Sequence, residues 1–575
     1  MAMPEPKDLS HHLSRATKRR QGSQVKNYYK YFGIPGIGPL AAGHPNCCYF
    51  PFDTLEAKTA LPDRWAPTPN GTVDLKTSLN GRPATRPESH VVVPQKSSNS
   101  ESAHKIDLKS ALQYGPSQGY RPLYSFLHQF VRQNLHPHVP YAGGPNIILT
   151  CGSTDGLSKA LIALNNEWSE GYDATSAREG ILCEEYAYMD AIQQAVSRGL
   201  NITPVKVDDE GMCAAGPGGL RDVLENWDFS QGKIPHLMYT VTIGQNPTGG
   251  SLSVERRKAV YELCVQYDII IIEDDPYWHL QYPSSNNFPP VPKPVKSSGF
   301  EYLDSLVPSY LSLDYQGRVL RLDTFSKTIA PGCRMGWITA QPALVQRISH
   351  ITDLGTQQPS GFVQGLVAEL IVGPGSEAGN GRGGAEDGRG WEVTGWVRWL
   401  EGLRGEYERR MNKMCDILDE GQYEVKSSQS KVDGWQVVEK TELFYYIRPP
   451  GGMFVWLRFH FNTHPLYGTF SGEDLSHALW LFWTTEKFRV VVAPGKLFAP
   501  TAEIAKRDAW ECFRLCFVEI EEADLEPVTK RFVMGIKAYW RIRTKDVIRK
   551  LLDEDETVTA NAKNLGMVNL TGFGC

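Results

Sequence analysis

No apolar run in this sequence approaches the roughly 20 residues that a membrane-spanning helix needs, so no membrane partner is expected. A surplus of basic residues is missing as well: 60 Lys and Arg stand against 65 Asp and Glu, a net charge of −5. That balance gives no reason to expect nucleic acid as a partner. Cysteine is sparse, 11 in 575 residues, odd in number and scattered. Cys264, Cys512 and Cys516 sit inside apolar stretches, which suits reduced thiols of a cytoplasmic protein better than a disulfide framework. Cys47-Cys48 has no metal-type spacing, and His11-His12 reads as part of a solvated tail, so no metal site is expected. The N-terminus is polar and basic, without the apolar stretch of a secretory leader.

What the chain does have is length and alternation. At 575 residues, 41% hydrophobic and 22% charged, it can bury the cores of a large two-domain enzyme. Residues 1–30, with the basic run Lys18-Arg19-Arg20, read as a flexible arm, or alternatively as a nuclear signal. Residues 31–104 begin Gly/Pro-rich, and 66–104 read as an irregular connection. Over 105–345 strand-like runs alternate with helical ones. The strands are expected at Asn146–Thr150, Gly180–Cys183, His236–Thr242, Asp268–Ile272, Val319–Leu322 and Gly336–Thr339. The helices are expected at 155–165, 188–198, 217–226 and 253–266. Such alternation argues for an α/β fold with a mostly parallel sheet flanked by helices. Ligands of such sheets collect at the carboxyl ends of the strands. After about 345 the pattern turns α+β: a helix at 392–419, strand-like runs at Val437–Ile447, Gly452–Phe459, Val490–Val492 and Arg514–Phe517, and a low-complexity, disordered insertion at 373–390. Segments near 281–300 and 423–440 read as inserted loops.

The chemistry concentrates after the strands. Between Arg318 and Thr339 a turn-rich loop carries Thr324, Ser326, Lys327 and Arg334. Hydroxyls and a guanidinium suit a phosphate. A Lys in a partly dry site is either one more phosphate donor or a nucleophilic amine, unless the loop is simply solvated. Asn146–Thr150 opens through Gly152, Ser153, Thr154 and Asp155 into a helix, either an anion cradle or a helix capped by Ser153 or Asp155. An isoleucine strand ends in Glu273-Asp274-Asp275-Pro276-Tyr277. Successive residues of an extended chain face opposite ways, so a buried cation is needed near at least one of these acids, unless they are solvated at the strand end. Asn246 could donate to a ligand oxygen or close a turn before Pro247. Tyr186 and Tyr188 could stack on a flat ring or pack in the core. Arg514, in an apolar run, wants a bidentate anion: a substrate carboxylate, or Glu519.

The order and spacing of these motifs over residues 30 to 540 resemble those of fold-type I, class I/II aminotransferases, in particular the fungal aromatic amino acid and kynurenine/2-aminoadipate branch. Tyr31-Phe-Gly-Ile-Pro-Gly, Gly-Gln-Asn246-Pro-Thr-Gly, Glu-Asp274-Asp-Pro-Tyr277 and Ser326-Lys327 with Arg334 carry the likeness. The resemblance implies a seven-stranded, mostly parallel sheet in the larger domain, at 105–345. It also implies a smaller α+β domain built from both chain ends, 31–104 and 346–575. Pyridoxal 5'-phosphate would be the cofactor, amino acids and 2-oxo acids the substrates. Lys327 would hold the cofactor and move the proton, Asp274 would face the pyridine nitrogen, and Asn246 and Tyr277 the phenolate oxygen. Tyr188 would stack on the ring, and Ser153, Thr154, Thr324, Ser326 and Arg334 would hold the phosphate. Arg514, with Gly43 and Asn246, would bind the substrate carboxylate. Tyr114 would reach the phosphate of a neighbouring subunit, which implies a homodimer with shared active sites. Thr154 departs from the Gln frequent in relatives, Tyr186 from the usual Pro, and His44 and Cys47-Cys48 alter the segment near Gly43. Beside an aromatic amino acid aminotransferase stand further readings: an aminotransferase of 2-aminoadipate, kynurenine or a specialised metabolite, a pyridoxal-dependent lyase on the same fold, and a transcription regulator with an aminotransferase-like domain. The regulator would need an N-terminal helix-turn-helix, and residues 1–110 show no paired amphipathic helices.

Overall fold

The computed structural model describes residues 3–23, 31, 34–38, 40, 43–70, 88–373, 390–432 and 435–564. The insertion expected at 373–390 lies, its two end residues apart, outside the described residues, as do Phe32 and Gly33 of the Tyr31 motif. Strands β1 (Thr54–Ala60) and β2 (Glu88–Pro94) form an antiparallel pair. The principal sheet contains β3 (Asn146–Thr150), β4 (Gly180–Glu184) and β5 (Asn201–Val205). A short hairpin, β6 (Val207–Asp208) and β7 (Gly211–Met212), follows. The sheet is completed by β8 (Leu237–Thr240), β9 (Ile270–Asp274), β10 (Val319–Thr324) and β11 (Gly336–Ala340). A second hairpin joins β12 (Tyr423–Val432) to β13 (Trp435–Glu442). Four further strands, β14 (Phe444–Tyr446), β15 (Phe454–Phe459), β16 (Ala493–Pro494) and β17 (Cys512–Cys516), form a separate sheet in the order β14-β15-β17-β16.

The seven strands of the principal sheet lie in the order β3-β11-β10-β9-β8-β4-β5. All run the same way except β11, which is antiparallel to both its neighbours. The carboxyl ends of β3, β4, β8, β9 and β10 therefore share one edge, and the first residue of β11, Gly336, pairs there with Thr150 and Thr324. The sheet is dry on both faces. Ile270 and Ile272 pack into one apolar cluster with the helices Ser153–Leu164 and Pro342–Leu354, while Ile271 packs into another with Val254–Gln266. Each such side chain contributes about 2–3 kcal/mol by leaving water. That is why an unbroken isoleucine run reads as a central strand here and not as one face of a helix.

The structure departs from the sequence expectations at five places. β5 was absent from them because Asn201–Val205 contains Pro204. β5 is the last strand of the sheet, where one backbone edge has no partner and a missing N–H is tolerated. β2 falls inside the stretch expected to be irregular, its Val91 and Val93 buried against the helix Gly361–Ile371. The segment near 423–440, expected to be a loop, is the β12–β13 hairpin. Val490–Val492 is not a strand; the pairing starts at Ala493. The N-terminal arm also differs from a solvated tail. Leu9 and Leu13 enter the main cluster, and Ser14 N donates to Ala163 O at 2.8 Å, with Thr17 buried beneath the short helix Arg15–Arg19.

Candidate active site

Ten residues singled out in the sequence line one hollow of about 210 Å³ at the shared strand-end edge. Ser153 and Thr154 come from the β3–helix turn, Tyr188 from the segment after β4, and Asn246 from that after β8. Asp274 and Tyr277 come from the end of β9, and Thr324, Ser326, Lys327 and Arg334 from the β10–β11 loop. Arg514, on β17 of the second sheet, joins them through a hydrogen bond: its NH1 donates to Asn246 Oδ1 at 2.7 Å. Tyr114 and Gly43 lie outside the lining of this hollow, and Tyr114 is 54% exposed. Tyr239, Val241, Pro276 and Pro331 also line it and were not foreseen. Tyr239 sits inside an apolar strand, and only the register of β8 beside β9 reveals where its hydroxyl goes.

One end of the hollow is a ring of donors. The helix Ser153–Leu164 starts after Gly152, whose φ of 92° takes the chain through a turn that L side chains resist. No side chain caps this helix; Asp155 instead accepts from Cys151 N at 2.8 Å and from Lys159 Nζ at 2.6 Å. Its first N–H groups thus point outward with the positive end of the helix dipole. Across from them Arg334, itself in the left-handed region at φ 45°, donates to Pro331 O at 3.0 Å, to Cys151 O at 3.3 Å and to Ser326 Oγ at 3.4 Å. Thr324 Oγ1 and Ser326 Oγ are 2.9 Å apart. The two loops meet because both carry glycine. A Cβ on Gly336 would sit 2.3 Å from Asp323 O, and one on Gly152 would sit 2.6 Å from the Arg334 guanidinium. Hydroxyls, guanidinium and helix N–H groups together are the chemistry of a phosphate site.

The other end holds the acids, all of them buried rather than solvated. Glu273 accepts from Ser309 Oγ and Tyr310 N and pairs with Arg257 and Arg321 at 3.3 and 3.1 Å. Asp275 accepts from Thr242 N at 2.7 Å, Ile243 N at 3.2 Å and Arg321 NH1 at 3.2 Å. Arg321 is therefore the buried cation that these two require. Asp274, between them in sequence, is turned towards the hollow. The Tyr239 hydroxyl donates to its Oδ2 at 3.0 Å, and its Oδ1 has no hydrogen-bond partner among the described residues. Burial pushes its carboxyl up to about 7, partly offset by the Tyr239 hydrogen bond. A cationic ligand placed there would reverse that shift.

Asn246 accepts from Arg514 through Oδ1, which leaves its Nδ2 amide as the donor end. The peptide joining it to Pro247 is cis. The Arg514 guanidinium lies between two rings, 4.1 Å from the centroid of Phe454 and 4.6 Å from that of Phe498. Tyr277 is buried with its ring edge-on to Phe454, and burial raises its phenol. Tyr188 is half-buried and donates to Asp190 Oδ2 at 2.7 Å. Tyr186, the other aromatic of that segment, is withdrawn into the core, its hydroxyl bonded to Asp508 at 2.7 Å. Lys327 is half-buried in the same wall as Ser326. The residues thus offer a phosphate cradle, a buried carboxylate facing inward, an amine and an arginine in one place.

Residues 88–532 match the family model described as aminotransferase class I and II. Among curated proteins, an aromatic amino acid aminotransferase of Schizosaccharomyces pombe is 34% identical over 79% of this chain and 82% of its own length. An L-tyrosine:2-oxoglutarate aminotransferase of Serpula lacrymans is 31% identical over 87% and 84%. Among solved structures, the aminotransferase Aro8 of Candida albicans superposes with a TM-score of 0.72 at 28% identity, covering 94% of this chain and 100% of its own.

Proposed function

The chain belongs to the class I and II aminotransferase family and is an aminotransferase; on that premise we propose that it moves the α-amino group of an aromatic amino acid to a 2-oxo acid such as 2-oxoglutarate, with pyridoxal 5'-phosphate as cofactor. The observation that carries the cofactor is Asp274: a buried carboxylate whose Oδ1 has no hydrogen-bond partner among the described residues, in the same hollow as an amine and a ring of donors suited to a phosphate. The names of the relatives support the aromatic donor.

When bound, pyridoxal phosphate supplies an electron sink for the bond pair released at the substrate Cα. Lys327 would hold its aldehyde carbon, and its Nζ would be the base that takes the Cα proton and returns it. Asp274 would keep a proton on the ring nitrogen by offering a charge that only a cation can satisfy in so dry a place. Asn246 Nδ2 and the Tyr277 hydroxyl would donate to the phenolate oxygen, and Tyr188 would bear on the ring. Ser153, Thr154, Thr324, Ser326 and Arg334 would hold the phosphate. Arg514, oriented by Asn246 and flanked by the rings of Phe454 and Phe498, would bind the substrate carboxylate beside Gly43; half-buried, it would pair more strongly there than at a fully exposed surface. Tyr114 serves the phosphate of the neighbouring subunit in a homodimer. The division into a larger domain at 105–345 and a smaller one from 31–104 and 346–575 belongs to the same reading. So does a cytoplasmic setting, which suits buried thiols such as Cys183, Cys264 and Cys415.

Borohydride reduction of the purified protein, digestion and mass spectrometry test the assignment: the phosphopyridoxyl mass is expected on the peptide bearing Lys327, and Lys327→Ala is expected to lose both the label and turnover. Phe, Tyr and Trp are expected to yield glutamate from 2-oxoglutarate. A label on another lysine removes Lys327 from its role. Glutamate from aliphatic donors alone removes the aromatic one.

A further inference from the structure

Far from the hollow, at the opposite end of β9, a second cluster of polar side chains gathers. The segment Asp268–Ile269 leads into β9, and Asp268 stands in the left-handed region at φ 55°, which holds its carboxylate out towards the N-terminal arm. The arm brings His11 and His12 on the turn Ser10–His12. His11 Nε2 is 2.6 Å and His12 Nε2 is 3.4 Å from Asp268 Oδ2. One ligand atom from each of the three residues lies within 4.8 Å of the others, the one such group among the described residues. Asp268 divides its work: Oδ1 takes Lys7 at 3.3 Å and Arg318 at 3.4 Å, while Oδ2 faces the imidazoles.

The proton inventory makes this group unusual. His12 is 6% exposed, and its Nε2 makes no hydrogen bond among the described residues. Its Nδ1 lies 3.0 Å from Nδ1 of His236, so one of these two nitrogens carries a proton and the other does not. His236 Nε2 lies 3.6 Å from Glu179 Oε2. His12 Nδ1 is thus held by a second imidazole that a carboxylate backs, the outer-shell arrangement found behind metal-bound histidines. Its Nε2, buried and 3.4 Å from Asp268 Oδ2, faces the oxygen that His11 Nε2 also reaches by a hydrogen bond of 2.6 Å. An ion at that point would take the place of the His11 proton and engage the unpartnered His12 nitrogen.

We propose that His11 Nε2, His12 Nε2 and Asp268 Oδ2 bind a divalent transition-metal ion of the zinc class, which fastens the N-terminal arm to the start of β9. Ligands at about 2.0–2.2 Å from a tetrahedral ion stand about 3.3 Å apart; His12 Nε2 meets that spacing at 3.4 Å from Oδ2, whereas His11 Nε2, at the hydrogen-bond distance of 2.6 Å, moves outward as the ion replaces its proton. A cleft of about 570 Å³, lined also by Asn166, Glu179 and His236, borders the group and admits water as the fourth ligand. The Lys7 and Arg318 cations lower the affinity, and Glu179 partly offsets them. The site is structural: it lies beyond the amino end of the strand whose other end carries Asp274, and it is independent of the aminotransferase reading.

The test uses the full-length holoenzyme after treatment with a chelator. Titration with Zn²⁺ by calorimetry is expected to give one ion per chain, and Co²⁺ to give the visible bands of a low-coordinate ion. His11→Ala, an exposed position, and Asp268→Asn are each expected to weaken Zn²⁺ at least tenfold, while His44→Ala leaves it unchanged. Circular dichroism of each variant checks the fold. In the wild type, Zn²⁺ is also expected to slow protease cleavage of the arm. Absence of stoichiometric binding overturns the proposal, and so does Zn²⁺ affinity in His11→Ala and Asp268→Asn equal to that of the wild type.

Discussion

Asp274 carries two demands that pull against each other, and both are measurable. Its charge is needed to hold a proton on a ligand nitrogen, yet burial alone favours the neutral acid, so its carboxyl is pushed up to about 7 from an ordinary 3.8. In the cofactor-free protein the folded state therefore binds a proton that the unfolded state releases earlier. Stability from this group is fully present below about 4 and is lost as pH rises towards 7. Asn is a neutral stand-in that cannot ionise. Cofactor-free Asp274→Asn is expected to gain on the wild type in melting temperature as pH rises from about 4 to 7; a constant difference across that window removes Asp274 as the titrating group. With cofactor present the sign turns, because the charge is then the useful form. The same variant is expected to lose 100- to 1,000-fold in kcat, about 3 to 4 kcal/mol of barrier, as removal of a placed electrostatic partner does. Unchanged turnover would show that the ring nitrogen lies elsewhere.

Among elements, the strongest constraint is the meeting of the β3–helix turn with the β10–β11 loop. Both segments contribute phosphate donors, and they approach through Gly152 and Gly336. Gly152→Ala places a methyl 2.6 Å from the Arg334 guanidinium and puts a side chain at φ 92°. With ψ at 173° this is backbone that only glycine adopts readily, so the strain is about 1–3 kcal/mol, and the flexible arginine gives way. The expected result is a drop in cofactor affinity of at least tenfold, read by equilibrium dialysis, with far-ultraviolet circular dichroism unchanged. Retained affinity would show that Arg334 does not serve the phosphate. Part of this element was legible in the sequence: its residues stood out there, but a cradle and a helix capped by Ser153 or Asp155 could not be told apart until the helix was seen to start without a side-chain cap. The central strands were legible because a dry parallel sheet needs runs like Ile269–Ile272. The exceptions were edge or context effects. β5 was hidden by Pro204, β2 by its polar surroundings, and Tyr239 by a register that no single strand encodes. His12 was misread because its neighbours His236 and Asp268 stand just before β8 and β9, more than 200 residues away in the chain. Asp275 and Glu273 could not be told from Asp274 by spacing alone; Arg321 decides between them, and its pairing is visible only once β9 and β10 lie side by side.

For the molecule as a whole, the open question is what Tyr114 does. It is a large side chain, 54% exposed, at the end of a segment that follows the short helix Leu108–Ala111, and it lies outside the hollow of its own chain. His44 stands near it, with ring centroids 6.1 Å apart, so the stretch that carries Gly43 and the stretch that carries Tyr114 meet on one face. A shared-site homodimer would use that face: the exposed phenol would supply one more donor to a neighbour's phosphate, and the segment around Gly43 would come up to the substrate. Sedimentation of the holoenzyme is then expected to give twice the 64.3 kDa chain mass. Tyr114→Phe removes one hydrogen bond worth about 1 kcal/mol, or about fivefold in cofactor affinity, without altering the dimer. The outcome that rejects sharing is equally concrete. If dilution yields monomers with full activity, or if Tyr114→Phe binds the cofactor as tightly as the wild type, each hollow is complete within its own chain.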